Sequence, residues 1–310
     1  MYNKNKMAVV VPAHNEEKLI SSTLSSVPDY VDHIIVIDDA STDSTPHLLE
    51  DSFLKDERIF IITNEKNRGV GFSIKRGYQK ALDLESDITL VVAGDGQMDP
   101  QYIPKLIEPI IEGNADYTKG DRLSSPQRNK MPIFRRFGNS ILTLLTKVST
   151  GYWNIIDPQN GYTAITKKAL ALILEEKITD GYGNPNDFLI ALNINNIKVR
   201  DVEIPPLYGD EKSGIRIPIF IFKTLWILIS GFFRRIHKKY GGLKLHPILL
   251  FFYLGFLFTI FCSIMTFRMV NLWYEDKDIP DLNALGVGIS FLGSCQFILF
   301  ALWMDSENSK

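Results

Sequence analysis

Two uncharged runs near the C-terminus constrain this chain more than any other feature of its sequence. Pro247–Phe267 and Ala284–Met304 contain no charged side chain, and each is 21 residues long. A helix of that length spans about 31 Å, which matches the hydrocarbon core of a bilayer. Two buried helices of a soluble protein are the alternative, but uncharged runs this long favour two transmembrane helices. We therefore predict a two-helix membrane anchor at 247–310.

The segment before this anchor has a different character. Ile217–Phe233 carries a single charge, Lys223, and continues into the basic stretch 234–239. An interfacial helix whose basic edge meets anionic headgroups fits this pattern better than a third span, although the sequence leaves a spanning helix open. We predict a juxtamembrane amphipathic and basic segment at 213–246.

Charge also predicts how the anchor is oriented. The basic stretch 234–239 and Lys244 favour the cytoplasm by the positive-inside tendency, whereas the loop Arg268–Asn283 between the two spans is acidic. The apolar run before Pro12 is too short for a signal peptide. With two spans, the N-terminal domain and both termini are predicted to be cytoplasmic, in a multi-pass protein of the cell membrane.

Charge and cysteine content exclude two classes of function. The net charge of −2 gives no electrostatic case for nucleic-acid binding. The two cysteines, Cys262 and Cys295, both lie in the apolar C-terminal runs. The N-terminal region therefore has neither a disulfide framework nor a cysteine-based zinc site.

Residues 1–212 alternate between β-type and helical patterns. Strands are predicted at Ala8–Val11, His33–Ile37, Ile59–Ile62, Ile88–Val92, Ala115–Gly120 and Val199–Ile204. Helical patterns follow most of them, and this alternation predicts an α/β fold with a mostly parallel sheet flanked by helices. Because the loops of such a sheet gather at the carboxyl ends of its strands, we expect a ligand crevice there.

One strand ends in an unusual turn. Leu90–Asp99 reads LVVAGDGQMD, in which Gly94 and Gly96 interrupt a buried strand and expose Asp95. Asp95 and Gln97 both offer oxygen to a hard divalent cation, which takes its other ligands from water and substrate phosphates. The alternative is an Asx turn that merely ends the strand.

Acidic residues at the end of the second strand suggest a further contact. Carboxylates repel phosphate, so Asp38 and Asp39 fit recognition of a base or a ribose hydroxyl better. The alternative is that residues 39–43 cap the helix that begins at Thr45. A lone Gly-x-Gly at 69–71 is a weak phosphate signal and does not predict NAD binding.

Four motifs in this order are more specific than any one of them. They are VPAHNE at 11–16, DDASTD at 38–43, NRGVG at 67–71 and GDGQ at 94–97. Together they resemble the GT-A fold of family-2 glycosyltransferases, and above all dolichyl-phosphate mannose synthase-like and bacterial polyprenyl-phosphate glycosyltransferases. The resemblance covers roughly residues 7–216, and a C-terminal membrane anchor also suits that group.

The resemblance implies a donor site. Nucleoside contacts would come from Pro12, Ala13, Glu16, Asp38 and Asp39, and diphosphate contacts from the turn of Gly94, Asp95 and Gln97. Asp95 and Gln97 would hold Mg²⁺ or Mn²⁺, with Asp95 counted as catalytic for that reason. This chain has Ala93 where relatives usually have the first acid of Asp-x-Asp, so one sugar or ribose contact of the family is missing.

It also implies a set of cations for phosphate. Arg122 and Arg135 match positions that contact phosphates in the family, and Arg136 is the alternative to Arg135. Lys212 and Arg216 lie in a segment that resembles the family's Arg-x-x-Gly-x-Ser-Lys motif, although Tyr208 replaces its arginine. The sequence 157–162 (DPQNGY) matches the family's acceptor-side turn.

The predicted activity is inverting transfer of a sugar from a UDP- or GDP-linked donor to a dolichyl or undecaprenyl phosphate at the cytoplasmic membrane face. Asp187 separates this prediction from an alternative. In relatives that glycosylate a sugar hydroxyl during polysaccharide synthesis, an acid near this position is the general base, whereas an ionised lipid phosphate needs none. A third alternative is a non-catalytic nucleotide-sugar-binding scaffold. The sequence leaves a homo-oligomer open.

Overall fold

The computed structural model describes residues 1–53, 55–124, 133–181, 183–205, 217–242 and 246–309. The chain forms two compact units, Met1–Phe232 and Phe233–Lys310. The boundary between the units falls within a single long helix, so each unit is described by itself.

A seven-stranded sheet forms the centre of the first unit. Its strands are β1 (Met7–Ala13), β2 (His33–Asp38), β3 (Ile59–Thr63), β4 (Ile88–Val91), β5 (Tyr117–Asp121), β6 (Thr163–Thr166) and β7 (Val199–Glu203). Their order across the sheet is β3-β2-β1-β4-β6-β5-β7. Every pairing is parallel except those that β6 makes with β4 and β5, which are antiparallel. The predicted mostly parallel sheet is confirmed.

β1 shows why the sheet lies at the centre of this unit. All seven of its residues are buried, and the side chains alternate between two apolar cores, as the period of a strand requires. Val9 and Val11 belong to the core on one face, whereas Ala8 and Val10 belong to the core on the other. A sheet covered on both faces is typical of a parallel α/β fold.

Helices cover both faces of this sheet. They are α1 (Ile20–Ser25), α2 (Thr45–Phe53), α3 (Val70–Asp83), α4 (Ile103–Ile111), α5 (Ile133–Thr150), α6 (Lys167–Leu174) and α7 (Asn184–Ile194). The next helix, α8 (Ile217–Tyr240), begins in the first unit and ends in the second. Within the first unit, the hydroxyl of Ser149 on α5 donates to the carbonyl of Leu228 on α8 at 2.7 Å.

Two apolar helices make up most of the second unit. α9 (Pro247–Tyr274) and α10 (Asp281–Glu307) are long and apolar enough to cross a membrane. Only 17% and 11% of their most apolar windows are buried. A core helix of a soluble protein would be mostly buried, so this exposure favours the membrane over a protein interior.

An ion pair fixes one end of this unit. Arg235, on the last turns of α8, is fully buried and makes two hydrogen bonds of 2.8 Å with the carboxylate of Asp305 near the end of α10. The hydroxyl of Tyr240 donates to the same carboxylate at 2.7 Å. The end of α8 and the end of α10 therefore lie together. Arg235, which the sequence assigned to a headgroup-facing basic edge, is committed to this internal pair.

Candidate active site

The order of the strands creates a crevice at β1. The chain leaves β1 toward β2 on one side and later returns to β4 on the other, so the carboxyl ends of these strands diverge there, and such a switch point is where open α/β sheets bind ligands. The backbone ties the two flanking turns to the end of β1. The amide of Asp39 donates to Ala13 at 2.9 Å and the amide of Gly94 donates to Pro12 at 3.1 Å.

A cavity of about 280 Å³ lies beside this crevice. Four of the predicted site residues line it, namely Pro12, Asp95, Gln97 and Arg122. Other parts of the wall come from α3, from the acceptor-side turn at 157–162, from the first residues of α7 and from the segments that follow β4 and β7. The sheet therefore brings the Asp95 turn and Arg122 to one cavity, although 27 positions separate them in the sequence.

Asp95 retains an open oxygen in its turn. One carboxylate oxygen accepts a hydrogen bond from the amide of Gln97 at 3.0 Å, which is the Asx turn considered from the sequence. Gly96 adopts a φ of +68°, a left-handed conformation that glycine tolerates best. The second carboxylate oxygen has no hydrogen-bond partner within the described ranges. Burial raises the pKa of Asp95, and the hydrogen bond from Gln97 only partly offsets this effect.

The Asp95 turn fits a divalent cation that draws most of its ligands from substrate. The carboxylate of Asp95 and the amide oxygen of Gln97 are the hard ligands that Mg²⁺ and Mn²⁺ prefer. Among the described residues, no group of three or more His, Cys, Asp or Glu side chains is gathered to hold a metal by itself. Two protein oxygens leave most of the coordination shell to diphosphate and water.

Asp39 occupies a very different environment. Its carboxylate is buried and accepts hydrogen bonds from the side-chain amide of Asn64 at 2.7 Å and from the backbone amides of Arg68 and Gly69 at 2.9 and 2.7 Å. These bonds attach the loop that precedes α3 to the end of β2. Asp39 does not line the cavity, and its predicted contact with a nucleoside stays a prediction.

The other predicted donor residues also lie outside the cavity. Asp38 is buried and accepts from the amide of Ser41 at 3.1 Å. Ala13 and Gly94 are buried in the backbone of the two turns, and Glu16 is half-buried with its amide bonded to the hydroxyl of Thr45 at 2.9 Å. These four residues surround the crevice without lining the cavity itself.

Arg122 is held by a buried partner. Its Nε donates to the carboxylate of Asp157 at 2.8 Å, and Asp157 is almost fully buried while Arg122 is about half-exposed. One terminal nitrogen, Nη2, also donates to Asp157 at 3.3 Å. Its other terminal nitrogen, Nη1, has no such partner within the described part of the chain. Arg122 therefore lines the cavity as a cation whose orientation is fixed by protein and whose remaining donors are available to phosphate.

The acceptor-side turn at 157–162 is supported by Lys119, which was not predicted as a site residue. Lys119 on β5 is almost fully buried, and its ammonium donates to the backbone carbonyl of Asn160. The side chain of Asn160 in turn donates to the carbonyl of Gly120 at 2.8 Å. Burial lowers the pKa of Lys119 to about 8. The sequence signal that could have identified Lys119 is its position in the middle of a predicted strand, where a charged side chain is unusual.

A further buried carboxylate lies near Lys119. Asp201 on β7 accepts from the amide of Ile156 at 2.6 Å, while its other oxygen is buried without a hydrogen-bond partner in the described structure. Burial raises the pKa of Asp201 to about 6, and Lys119 opposes this shift. These two residues lie behind the acceptor-side turn rather than in the cavity.

Asp187 is buried in the first turn of α7. Its carboxylate accepts from the backbone amide of Thr179 at 3.0 Å and from the hydroxyl of the same residue. It does not line the cavity, although Asn184 and Pro185 of the same helix do. The N-cap position belongs to Gly183, so Asp187 does not cap this helix.

Four predicted cations lie outside the side chains that the structure describes. Arg135 and Arg136 lie in α5, but their side chains fall outside the described part of the structure. Lys212 and Arg216 lie outside the described residues altogether. Their proposed roles toward phosphate stay predictions.

Comparison with known proteins identifies the family. Residues 8–173 match the family described as Glycosyl transferase family 2. That match covers more than half of the chain. The chain belongs to glycosyltransferase family 2. The resemblance inferred from the four motifs is therefore confirmed.

Two relatives of this glycosyltransferase are named as enzymes that act on lipid phosphates. A UDP-N-acetylglucosamine–dolichyl-phosphate N-acetylglucosaminyltransferase of Methanococcus voltae is 30% identical over 241 residues, which are 72% of this chain and 96% of that protein. A dolichol-phosphate mannosyltransferase of Pyrococcus furiosus is 25% identical over 222 residues, covering 67% of this chain and 58% of that protein.

A solved structure supports the fold of the glycosyltransferase unit. Glucosyl-3-phosphoglycerate synthase from Mycobacterium tuberculosis, in a complex with Mn²⁺ and UDP, superimposes with a TM-score of 0.56 at 20% identity. The match covers 75% of this chain and 80% of that one. At this identity the likeness shows the GT-A fold alone.

Proposed function

We propose that this glycosyltransferase moves a sugar from a nucleotide donor to a polyprenyl phosphate at the cytoplasmic face of the membrane, with inversion at the anomeric carbon. The observation that carries the proposal is one cavity that joins an open carboxylate, Asp95, to a fixed cation, Arg122. The Methanococcus voltae and Pyrococcus furiosus relatives, which are named for such transfers, support the acceptor class.

The donor diphosphate would lie at the Asp95 turn. Asp95 and Gln97 would hold Mg²⁺ or Mn²⁺ against it, and the bound ion would neutralise charge on the departing diphosphate. A UDP-linked sugar is our first choice of donor because the relative at 30% identity is named for UDP-N-acetylglucosamine. The transfer assay should include GDP-linked sugars for comparison.

The acceptor arrives as an oxyanion, so the protein has little proton chemistry to perform. One phosphate oxygen attacks the anomeric carbon on the face opposite the diphosphate, a new carbon–oxygen bond forms, and the bond to the diphosphate breaks. Arg122 would orient the acceptor phosphate through the donors that Asp157 leaves available. The contribution of the chain is therefore position and charge.

The environment of Asp187 supports a phosphate rather than a hydroxyl acceptor. A general base needs a carboxylate within hydrogen-bond reach of the proton that it removes. Asp187 instead receives two hydrogen bonds from Thr179 and lies outside the cavity. A polyprenyl phosphate, already ionised at neutral pH, does not require that base.

The second unit supports a membrane anchor with both termini in the cytoplasm. The Arg235–Asp305 pair holds the end of α10 beside the end of α8, which is the geometry of a two-span hairpin. The loop between the spans carries Glu275, Asp276, Asp278 and Asp281, whereas the segment before α9 is basic. Labelling of single cysteines at 276 and 308 in a cysteine-free background, in intact cells and in broken cells, tests this orientation.

Transfer assays on the full-length protein in detergent test the proposed activity. Undecaprenyl and dolichyl phosphates are incubated with a panel of UDP- and GDP-sugars, and the lipid products are identified by mass spectrometry. We expect a glycosylated polyprenyl phosphate from one donor class. Asp187→Asn should form it at nearly the wild-type rate. Loss of several orders of magnitude in Asp187→Asn would favour a hydroxyl acceptor. Tight donor binding without turnover on any lipid would favour the scaffold alternative.

A further inference from the structure

The acceptor-side turn reaches the cavity on a rigid support. Gln159, Asn160 and Gly161 all line the cavity. The turn is attached to β5 by the bonds of Asn160 to Lys119 and Gly120, and to Arg122 by Asp157. A side chain carried by this turn is therefore held in place relative to the Asp95 turn across the cavity.

The side-chain amide of Gln159 is oriented by a buried neighbour. Its Nε2 donates to Oδ1 of Asn186 at 3.0 Å, and the hydroxyl of Thr146 donates to the same oxygen at 3.3 Å. Asn186 is fully buried on α7 and Thr146 is nearly so on α5. Because Nε2 gives one of its two protons to Asn186, Gln159 retains the acceptor Oε1 and one N–H for a ligand.

Asn186 keeps this position at a cost. Its own Nδ2 is buried without a hydrogen-bond partner in the described structure. A buried donor left unpaired destabilises a fold. An unpaired polar group in a native core calls for an explanation other than stability. The orientation that Asn186 imposes on Gln159 provides one.

The chemistry of Oε1 selects the part of the substrate that it meets. Oε1 accepts a hydrogen bond and the remaining N–H donates one, whereas an ionised phosphate oxygen can only accept and would leave Oε1 unused. A sugar hydroxyl both donates and accepts, and the walls of this cavity include the apolar side chains of Val70, Ile74 and Pro185. Apolar side chains with one directed acceptor suit a sugar ring better than a phosphate.

We infer that Gln159 is a specificity-determining residue that accepts a hydrogen bond from one hydroxyl of the transferred sugar, with Asn186 as the positioning residue that presents its carbonyl oxygen. The inference rests on the proposed function, because it takes a nucleotide sugar as the donor. It assigns the discrimination between sugars to the acceptor-side turn rather than to the Asp95 turn, where Ala93 offers no polar side chain.

A donor series lacking single hydroxyls tests the inference on the full-length enzyme. The probes are the UDP-sugar that the wild type uses and its analogues with one hydroxyl replaced by hydrogen. In the wild type, removal of the hydroxyl read by Gln159 should lower kcat/KM about ten-fold. Gln159→Leu should lower kcat/KM by a similar factor for the parent donor and show no further loss with that analogue. Binding of UDP alone should be unchanged.

Two variants serve as controls. Gln79→Leu removes an exposed glutamine on α3 that does not line the cavity, and it should preserve every donor ratio. Asn186→Leu frees the amide of Gln159 and should reduce the preference for the parent sugar over the analogue, even where its thermal unfolding temperature equals that of the wild type. A merely structural role for Asn186 would lower activity on all donors equally.

Three results would overturn the inference while leaving the proposed function intact. The donor ratios could be the same in Gln159→Leu and wild type, Gln159→Leu could raise KM for polyprenyl phosphate alone, or UDP binding could fall as much as sugar-nucleotide binding. Failure of the proposed function looks different, since the wild type would then form no lipid product. Calorimetric binding of the UDP-sugars against UDP would still test Gln159 in that case.

Discussion

Asp39 and Asp95 both follow β-strands that flank β1, yet one carboxylate is closed and the other is open. Asp39 accepts three hydrogen bonds from the loop before α3, whereas Asp95 accepts one from its own turn. The sequence assigned both to substrate. Their difference teaches that an acidic residue at the end of a strand serves either the loop or the ligand, according to how many protein donors surround it.

The carboxylate of Asp305 in the second unit is almost fully enclosed, and the largest effect is expected there. Asp305→Ala leaves Arg235 buried without its partner, and a broken buried pair costs about 3–5 kcal/mol. Thermal unfolding of the full-length protein in detergent measures this loss. The double variant Arg235→Met, Asp305→Leu should recover most of the stability, because apolar residues can replace a buried pair. A single variant as stable as the wild type would show that this pair is open to water.

For Asp95, the open carboxylate, we expect the opposite outcome: a loss of activity with little change in stability. Asp95→Asn should reduce transfer by two to three orders of magnitude, since it removes the carboxylate that would hold the diphosphate's cation. Its unfolding temperature should remain close to that of the wild type, because the amide preserves the single hydrogen bond from Gln97. Asp51→Asn, at an exposed position on α2, is the matched control. Wild-type transfer in Asp95→Asn would place the cation, or the reaction, elsewhere.

Substitution of Asp39 should lower the stability of the fold rather than act directly on catalysis. Asp39→Ala leaves the side-chain amide of Asn64 and the amides of Arg68 and Gly69 without an acceptor, at a cost of about 2–3 kcal/mol. Asp39→Asn should be intermediate because it retains one carbonyl oxygen. Unfolding curves and UDP binding at low temperature separate the two roles. Loss of UDP binding in a fully folded Asp39→Ala would make Asp39 a substrate ligand after all.

Local patterns explain how much of this difference was predictable. The strand that ends at Gly94, Asp95 and Gly96 is written in consecutive residues, so the Asp95 turn and its Asx bond could be predicted from the sequence. The partners of Asp39 could not be predicted in this way. Asn64 lies 25 positions away, and the other two donors are backbone amides, which no residue type identifies. Sequence shows where an acid is, but not how many donors the fold brings to it.

The same limit applies to the sheet. The first four strands were predictable because each is rich in β-branched residues and is followed by a helical pattern. β6 was not, because Thr163–Thr166 is only four residues long and is defined by antiparallel pairing with β4 and β5, both more than 40 positions away. The buried position of Lys119 and its bond to Asn160 depend on that pairing. The acceptor side of the site was therefore predicted less completely than the donor side.

Asp201 is intermediate between the closed carboxylate of Asp39 and the open carboxylate of Asp95. Its substitution should give the smallest of these effects. One of its oxygens is bonded and the other is buried without a partner in the described structure, and burial raises its pKa to about 6. A carboxyl whose pKa is higher in the folded than in the unfolded protein binds its proton more tightly when folded. Its stabilising contribution is therefore complete below about pH 4 and is lost as the pH rises through about 6.

Asp201→Asn removes this pH dependence, which amounts to at most about 1.4 kcal/mol per pH unit. The difference between the unfolding temperatures of variant and wild type should accordingly move in favour of the variant between pH 4 and 6 and then level off. Lys119, Asp121 and Asp157 are the charged groups that act on Asp201, and they are common to both proteins. A difference that did not change with pH would mean that water reaches the second oxygen of Asp201. Asp201 would then belong with Asp95 among the open carboxylates.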